Sequence, residues 1–420
     1  MKRHGMNWAR SFTYGGAGLH RPATVEKVQQ WVRRCHKVRA RGTRHSFSEI
    51  ADTGGHVIST EHLNRIVRID GEIGRVVVEG GITYGKLCAS LHEAGYSIHN
   101  LASLPHISVA GACATATHGS GDRNGNLATA VAAIEFVKAD GELVRLSRAA
   151  DADRFPGAVV ALGLLGIVTT LALEIKPAFQ MRQVVYTSLP FSQLEEHFDA
   201  VVGSAYSVSL FTDWRSDNIN QVWLKQDTNG GNGESEQIGA FGGSPVFRKM
   251  HPIATIAAHN CTNQLGVPGP WHQRMPHFRM EFLPSAGKEL QSEYLVPREY
   301  AIEALRAIDR MRNKIAPLLQ ISEIRTVARD DQWLSMCYDH DCVAIHFTWQ
   351  KRMQDVMALL PEIEAALADF KARPHWGKLF TMRPERLQPL YPKLPDFQKL
   401  MKEYDPHGKF RNEFLAPYFV

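Results

Sequence analysis

Residues 109–121 read VAGACATATHGSG, a run in which glycine, alanine, serine and threonine fill most positions. Such a segment has little side chain to bury, so its backbone must fold close to another surface. One interpretation is tight packing of backbone against backbone. The other is that bare N–H groups face a ligand, often a pyrophosphate. No GxGxxG motif follows a first strand, so the run is not the dinucleotide fingerprint of a Rossmann fold.

A second segment of this kind is ARGTRHSF, residues 40–47, where a predicted strand runs into a turn. Gly42 gives backbone freedom, and the residues around it give polar reach: Arg41, Thr43, Arg44, His45 and Ser46. Taken alone, the segment is typical of a solvated loop. Taken with residues 109–121, it makes two cradles of short side chains, which suit a nucleotide lying between two subdomains.

The pattern of strands and helices predicts an α+β protein of two domains. The composition, 44% hydrophobic and 22% charged over 420 residues, is that of a globular chain. Residues 131–147 predict a hairpin that turns at Asp140 and Gly141. Beyond a boundary at Lys176-Pro177, strands and helices follow one another in a way that suits an antiparallel sheet with helices on one face. We therefore predict domains at residues 1–178 and 179–374, with a tail at 375–420 that packs back on the first domain.

Two strands of the second domain carry polar pairs. Glu323 and Arg325 are two residues apart and therefore share one face of their strand. His346 and Thr348 do the same on the next strand. The pairs predict either a polar floor for a hydroxyl-rich substrate or a half-exposed sheet with a surface ion pair.

Lys378 is an isolated cation among aromatic residues in HWGKLF, residues 375–380. Burial of that cation is costly unless it faces an anionic partner. The alternative is that its long side chain reaches solvent.

Several function classes are disfavoured by the sequence. The net charge of +5 is spread along the chain and does not indicate nucleic-acid binding. The uncharged run 157–173 is interrupted by glycines, so we interpret it as a buried helix, a turn and a strand rather than a membrane span. Cys337, His340 and Cys342 have no usual zinc spacing, so no metal is predicted, and no GxSxG motif supplies a hydrolase nucleophile. The scattered cysteines and the absence of a secretory signal predict a reducing, cytoplasmic location.

A set of longer motifs, in this order along the chain, carries a family resemblance: ARGTRHSF, NLASLPHISVAGACATATHGSG, SVSLFTDW, VPGPWHQRMPHFR, LQSEYLVPRE, EIRTVA, HFTW and RPHWGK. Together they closely resemble the bacterial alditol oxidases. These are flavoproteins of the vanillyl-alcohol-oxidase family and are related to the aldonolactone oxidases. The resemblance runs nearly from end to end. It implies an FAD-binding domain, built from the N-terminal part and the tail, and a substrate-binding cap with an antiparallel sheet between them.

The resemblance also implies the site residues. His45 would bond covalently to the flavin 8α-methyl group. Contacts to FAD would come from Ala40, Arg41, Gly42, Thr43, Arg44, His45, Ser46, Ser103, Ser108, Gly111, Ala112, Cys113, Ala114, Thr115, Ile167 and His375. Arg44 and Cys113 depart from the residues we expect at those positions in the family.

The implied chemistry is oxidation of the terminal primary alcohol of a small polyol, xylitol or sorbitol, with O2 as acceptor and hydrogen peroxide as product. Ser103, Glu323, Arg325 and Thr348 would bind the substrate. Arg325, Lys378, Glu323 and His346 would carry the catalysis, with the two cations stabilising alkoxide character. An aldonolactone oxidase or dehydrogenase is the alternative within the family. No nucleic acid, membrane or protein partner is expected, and a monomer is predicted.

Overall fold

The computed structural model describes residues 4–228, 236–282 and 289–419. The sequence predicts a surface loop at 228–246, where glycines cluster with Asn and Ser, and part of this segment lies outside the described residues. The strands are β1 (Gly18–His20), β2 (Val38–Arg41), β3 (His56–Ser59), β4 (Ile66–Asp70), β5 (Arg75–Glu79), β6 (Tyr96–Ser97), β7 (Val131–Val137), β8 (Leu143–Ser147), β9 (Ile167–Glu174), β10 (Lys176–Pro177), β11 (Gln180–Pro190), β12 (Ser207–Thr212), β13 (Asn218–Asp227), β14 (Ser244–Pro245), β15 (Gly269–Pro270), β16 (Glu289–Pro297), β17 (Leu319–Val327), β18 (Cys342–Gln350) and β19 (Arg373–Pro374). The helices are α1 (Val25–Arg34), α2 (Tyr84–Glu93), α3 (Val109–Ala114), α4 (Phe155–Val159), α5 (Phe191–Val202), α6 (Glu236–Ala240), α7 (Ala301–Asp309), α8 (Arg312–Ile315), α9 (Met353–Ala366), α10 (Pro384–Leu387) and α11 (Leu394–Tyr404).

Two larger sheets form the N-terminal region, beside the antiparallel pair β6-β10. The first is parallel, in the order β1-β3-β2, and the second has five strands in the order β4-β5-β9-β7-β8. The predicted hairpin is confirmed, since β7 and β8 are antiparallel neighbours and Gly141 in their connection has a φ of 85°. The uncharged run 157–173 is also as predicted: the end of α4, a turn with Gly163 at φ 70°, and the buried strand β9.

The cap is built on a nine-stranded sheet in the order β14-β11-β13-β12-β17-β18-β16-β19, with β15 beside β11. The pairs along this path are antiparallel. Its first strand, β11, begins three residues after Pro177, where the sequence predicts the domain boundary. The central strands β17 and β18 are buried along most of their length, which is why both read as dense in β-branched and aromatic residues.

The tail after β19 packs on the N-terminal region. Phe410 lies in one apolar cluster with Val28 and Val38. The Asn412 side-chain amide donates to the carbonyl oxygens of Glu49, Ile50 and Asp52. These contacts fix the last part of the chain against the strand that leads into the segment 40–47.

One local prediction is wrong. The sequence predicts a long helical region at 353–371 and favours an interruption at Pro361, but α9 continues through this residue to Ala366. The buried face of α9, which includes Val356, Leu360 and Ile363, packs into the main core. That packing offsets the hydrogen bond lost at proline, which by itself costs about 3 kcal/mol. Among the described residues, no helix is long and apolar enough to cross a membrane.

Arg39 is expected to be a large contributor to stability. Its buried guanidinium donates to the carbonyl oxygens of Ile50, Leu162, Gly163 and Phe410, and burial lowers its pKa to about 10. The change Arg39→Met leaves four carbonyl groups without that donor, and we expect the free energy of unfolding to fall by about 2–3 kcal/mol. Denaturant unfolding monitored by circular dichroism measures it.

The matched control for this prediction is Arg68→Met. Arg68 is mostly exposed and forms only a surface ion pair with Asp70, so its loss should change stability by about 0.5 kcal/mol or less. Equal effects of the two changes would contradict the assigned role of Arg39.

Candidate active site

The candidate active site is a cavity whose walls come from both predicted cradles and from the cap sheet. Most of the predicted site residues line it: Ala40, Arg41, Gly42, Thr43, Arg44, His45, Ser46, Ser103, Ser108, Gly111, Ala112, Ala114, Thr115, Glu323, Arg325, His346, Thr348, His375 and Lys378. The sequence analysis therefore identified residues that the fold brings together in one cavity, although they come from segments that are far apart in the chain.

Two predicted cofactor contacts lie elsewhere. Cys113 is on the core side of α3, where its Sγ lies 3.6 Å from the Tyr84 hydroxyl, and burial raises the pKa of the thiol to about 12. Ile167 packs in the apolar cluster behind β2, while its neighbours Gly166 and Val168 line the cavity. Helical and strand periodicity turn these two side chains away from the cavity.

Strand register builds the polar floor of the cavity. In the three adjacent strands β16, β18 and β17, His346 stands opposite Glu293 on one side and Glu323 on the other. Thr348 stands opposite Gln291 in the same way. Because side chains at paired positions point to the same face, these residues converge on one surface. The predicted polar floor is a property of three strands rather than two.

Glu293 is the charged centre of this floor. Its side chain is 0% exposed, and its Oε2 accepts from Lys378 Nζ at 2.7 Å while its Oε1 accepts from Arg325 Nη2 at 2.9 Å. His118 Nε2 lies 3.4 Å from the same carboxylate. Burial alone would raise the pKa of Glu293, but Lys378, His118 and Arg325 hold it well below its usual value. The carboxylate therefore stays ionised and fixes two cations in the cavity wall. The Glu293 carboxylate is thus the anionic partner that the sequence analysis requires if Lys378 is buried.

The hydrogen bonds of His346 define its tautomer. Lys378 Nζ, a cation with no acceptor, donates to Nδ1 at 2.7 Å, so the ring proton is on Nε2 and faces Thr348 Oγ1 at 3.1 Å. Burial, reinforced by Lys378, lowers the pKa of His346 to about 3. His346 is therefore a neutral connector between a cation and a hydroxyl group.

Glu323 accepts a hydrogen bond from His277, a residue that the sequence analysis did not single out. His277 Nε2 lies 2.7 Å from Glu323 Oε1, and Arg325 Nε lies 3.6 Å from the same oxygen. Burial would raise the pKa of Glu323, yet Arg325 and His277 lower it well below its usual value. Burial also lowers the pKa of His277 to about 4, so a neutral imidazole donates to the carboxylate.

The opposite end of the cavity is a narrow backbone cradle. A Cβ added to Gly42 would lie 2.4 Å from Ser108 Oγ, and one added to Gly111 would lie 2.8 Å from the same atom. Thr43 Oγ1 accepts from the Ser108 backbone N–H at 3.2 Å and joins the two segments. Arg44 has a φ of 65° and an exposed side chain that donates to the Met6 carbonyl. Any larger residue at the two glycines would fill the space between the segments.

His45 stands at the junction of the cradle and the floor. Its ring stacks with Trp8, with centroids 5.5 Å apart, and its Nδ1 lies 3.0 Å from Thr43 Oγ1. Its Nε2 is buried and has no hydrogen-bond partner among the described residues. Burial lowers the pKa of His45 to about 4, so the ring is neutral and one nitrogen keeps a lone pair directed into a dry environment.

Five of the site residues described above were missed by the sequence analysis: Trp8, His118, His277, Gln291 and Glu293. A signal for Glu293 was present, because Glu289, Gln291 and Glu293 alternate along a strand that the sequence predicts. Such alternation marks one face of the strand as polar. His277 had no such signal, since it lies outside the helices and strands.

Comparison with known proteins agrees with this geometry. The FAD binding domain family matches residues 17–147, and the D-arabinono-1,4-lactone oxidase family matches residues 283–418. The alditol oxidase of a Streptomyces species is 47% identical over 413 residues, which is 97% of both chains. The chain belongs to the alditol oxidase family. The L-gulono-1,4-lactone dehydrogenase of Mycobacterium tuberculosis is 28% identical over 97% of both chains. The cholesterol oxidase of B. sterolicum, at 14% identity, shares the fold with a TM-score of 0.78 over 99% of this chain and 96% of that one.

Membership of the alditol oxidase family makes the chain an FAD-dependent oxidoreductase with the vanillyl-alcohol-oxidase fold, as predicted. The residues fit the cofactor. Gly42 and Gly111 both line the cavity and add no side chain to it, and bare backbone N–H groups suit a pyrophosphate. His45, whose Nε2 is buried without a hydrogen-bond partner among the described residues, and the charged floor line the same cavity.

Proposed function

We propose that the chain oxidises the terminal primary alcohol of alditols such as xylitol and sorbitol to the aldose, with release of hydrogen peroxide. The observation that carries this proposal is the floor of the cavity. There Glu323, Arg325 and Lys378 face the same space as the backbone cradle. When bound, FAD supplies the acceptor for the hydride that leaves C1 and passes the electrons on to O2.

The floor suits a substrate with several hydroxyl groups. The carboxylate of Glu323 accepts hydrogen bonds, and the Thr348 hydroxyl both donates and accepts. Ser103 Oγ lies 3.5 Å from Arg325 Nη1, at the side of the floor nearest the cradle. A site built to bond hydroxyl groups discriminates strongly against analogues that lack them, because its buried polar groups are then left unpaired.

The two cations supply the electrostatic part of the mechanism. Negative charge develops on the substrate oxygen as its hydroxyl proton moves along the hydrogen bond to the Glu323 carboxylate, and fixed positive charges stabilise it without reorganisation. Arg325 and Lys378 are held in place by Glu293, so they are preorganised before substrate binds. His346 stays neutral and holds Lys378 Nζ through Nδ1.

We also propose that His45 holds the cofactor covalently. Its neutral ring and its buried, unpaired nitrogen support this assignment. The chain is further proposed to act in the cytoplasm, because its six cysteines are all free. A monomer is proposed as its oligomeric state.

The test is to incubate the purified yellow protein with xylitol in air and to measure hydrogen peroxide. Peroxide formation supports the proposal, and a polyol series then ranks the substrates. If xylitol bleaches the flavin without air but gives no peroxide, the protein is a dehydrogenase with another acceptor. If the flavin stays oxidised with every polyol, the substrate assignment is wrong.

A lactone substrate is the second candidate. It is favoured by the match of residues 283–418 to the D-arabinono-1,4-lactone oxidase family. Aldonolactones are therefore assayed beside the polyols, and a higher kcat/KM for a lactone would replace the alditol assignment.

The pH dependence of turnover is expected to have an alkaline limb below the ordinary pKa of lysine. Burial lowers the pKa of Lys378 from 10.5, and the protonated form is the active one, so activity is lost as pH rises through that lowered value. The pKa values of His346 and His277 are about 3 and 4, so neither imidazole is expected to give a limb between about pH 5 and 8. The profile of kcat/KM measures this.

The control for the pH profile is Lys378→Arg. A guanidinium keeps its charge throughout, so the remaining activity should lose the alkaline limb. An unchanged limb in this variant would assign it to another group.

A further inference from the structure

Three metal-ligating side chains meet at the end of β2 and β3 that is remote from the cradle. His20 is the last residue of β1, His56 is the first residue of β3, and Cys35 ends α1 three residues before β2 begins. One ligand atom from each lies within 4.8 Å of the other two. We propose that His20, Cys35 and His56 form a binding site for one Zn²⁺ ion, independent of the oxidation site.

The local fold explains how the two imidazoles meet. β1 and β3 are parallel, and Gly18 stands opposite His56. A Cβ on Gly18 would lie 2.9 Å from His56 Nδ1, so glycine leaves the room that this ring occupies. The ring then reaches His20, whose Nε2 lies 2.8 Å from His56 Nδ1. The ring of Trp31 stacks on His20 and fixes its orientation.

The donor set selects the metal. Two imidazole nitrogens and a thiolate are ligands for Zn²⁺, whereas Mg²⁺ and Ca²⁺ require oxygen ligands. Three protein ligands leave the fourth tetrahedral position to water. Zinc–nitrogen bonds of about 2.0–2.1 Å at tetrahedral angles place two ligating nitrogens about 3.3 Å apart. The two rings must therefore separate by about half an ångström when the ion enters.

The protons balance in this step. Zn²⁺ replaces the proton of the Cys35 thiol, which is released to solvent when the S–Zn bond forms. Before the metal binds, one of the two facing ring nitrogens, His20 Nε2 or His56 Nδ1, donates its proton to the other. When the metal binds, this proton moves to the other nitrogen of the same ring, because both facing nitrogens then use their lone pairs to bind the metal. One proton is released for each ion bound, and nothing is oxidised or reduced.

The position of the cluster separates it from the reaction. Val38, the first residue of β2, pairs with His56, whereas the cradle begins at Ala40 and continues past the other end of that strand. None of the three residues lines the cavity described above. Zinc binding can therefore be measured on the flavin-loaded protein without a change in the catalytic residues.

The experiment uses the full chain without a histidine tag, freed of metal by a chelator and titrated with Zn²⁺ by calorimetry. We expect one ion per chain and one released proton, from the dependence of the binding heat on the ionisation enthalpy of the buffer. His20→Gln and His56→Gln should each weaken binding by at least about 100-fold, because even the loss of an outer-shell partner weakens metal binding 10- to 100-fold. The matched control is His36→Gln, an exposed histidine next to Cys35, which should bind like the parent.

A second measurement detects the coordination geometry of the metal directly in the parent protein. Co²⁺ in place of Zn²⁺ should give intense tetrahedral bands to the red of oxidised flavin absorption, together with a thiolate charge-transfer band that Cys35→Ser removes. Weak octahedral Co²⁺ bands would overturn the proposal. Equal Zn²⁺ affinity in the parent, His20→Gln and His56→Gln would also overturn it, as would an equal loss in His36→Gln.

Discussion

Replacement of Glu293 by glutamine is expected to lower kcat/KM for the best polyol by about 10²–10³ while the protein stays folded and yellow. The carboxylate oxygens accept from Lys378 at 2.7 Å and from Arg325 at 2.9 Å. An amide of the same shape carries no charge, so the two cations repel each other and lose their fixed positions. Loss of one preorganised donor to a developing oxyanion costs about 2.7–4 kcal/mol in the transition state, which is the expected factor.

A second readout of Glu293→Gln is the alkaline limb of the pH profile. The carboxylate raises the pKa of Lys378 against the effect of burial. Without it, the pKa of Lys378 falls further, and the limb should move to lower pH. A change that merely loosened the structure would lower kcat/KM at every pH and leave the limb in place.

The matched control is Glu364→Gln. Glu364 is also a buried carboxylate, but it accepts from Tyr294 and Thr381 and does not line the cavity. Tyr294 neighbours Glu293 in β16 and points to the opposite face of the sheet. We expect kcat/KM to change by no more than about 3-fold in this variant, because no charge in the cavity changes. Similar activity losses in the two variants would contradict the role of Glu293.

The contrast between Glu293 and its neighbours shows what the sequence could predict. Glu323 and Arg325 were found because two charges at a spacing of two on an apolar strand have few explanations. The alternation of Glu289, Gln291 and Glu293 carries the same information, yet Glu293 becomes central only when β16 is known to pair with β18. Strand order is a long-range property, and local periodicity does not encode it.

In helix α3, the family resemblance implies cofactor contacts at every position from Gly111 to Thr115, and it does not separate the two sides of the helix. A helix has two sides, and Val109 and Cys113, four residues apart, both face the core. Periodicity within the run could have separated Cys113 from Gly111. His277, by contrast, lies outside regular structure, and only the folded chain brings it to Glu323.

The fold was predictable where local chemistry decides it. Thr24 is the N-cap of α1, and its hydroxyl accepts a hydrogen bond from the Lys27 N–H. The turn at Gly141 joins β7 to β8. These are capping and turn signals that act over a few residues. The rule that proline interrupts a helix is also local, and at Pro361 it was outweighed by the packing of α9 on the core.

Replacement of His45 by alanine is expected to abolish the covalent attachment of the flavin completely. The parent protein should keep its yellow, fluorescent flavin through acid precipitation and denaturing electrophoresis. The His45→Ala protein should release all of it, because no other described side chain in the cradle offers a buried, unpaired nucleophilic nitrogen beside Trp8. Before denaturation the variant should still bind flavin, since the backbone segments 40–47 and 108–115 that form the cradle are unchanged.

The control for His45→Ala is His106→Ala. His106 is close enough to His45 to lower the pKa of its ring, after the larger effect of burial, but it does not line the cavity. Flavin should remain attached in this variant. If denatured His45→Ala protein kept its flavin, attachment would run through another residue. If the parent released its flavin, the cofactor would be held by the cradle alone, and the neutral ring of His45 would serve only to pack against it.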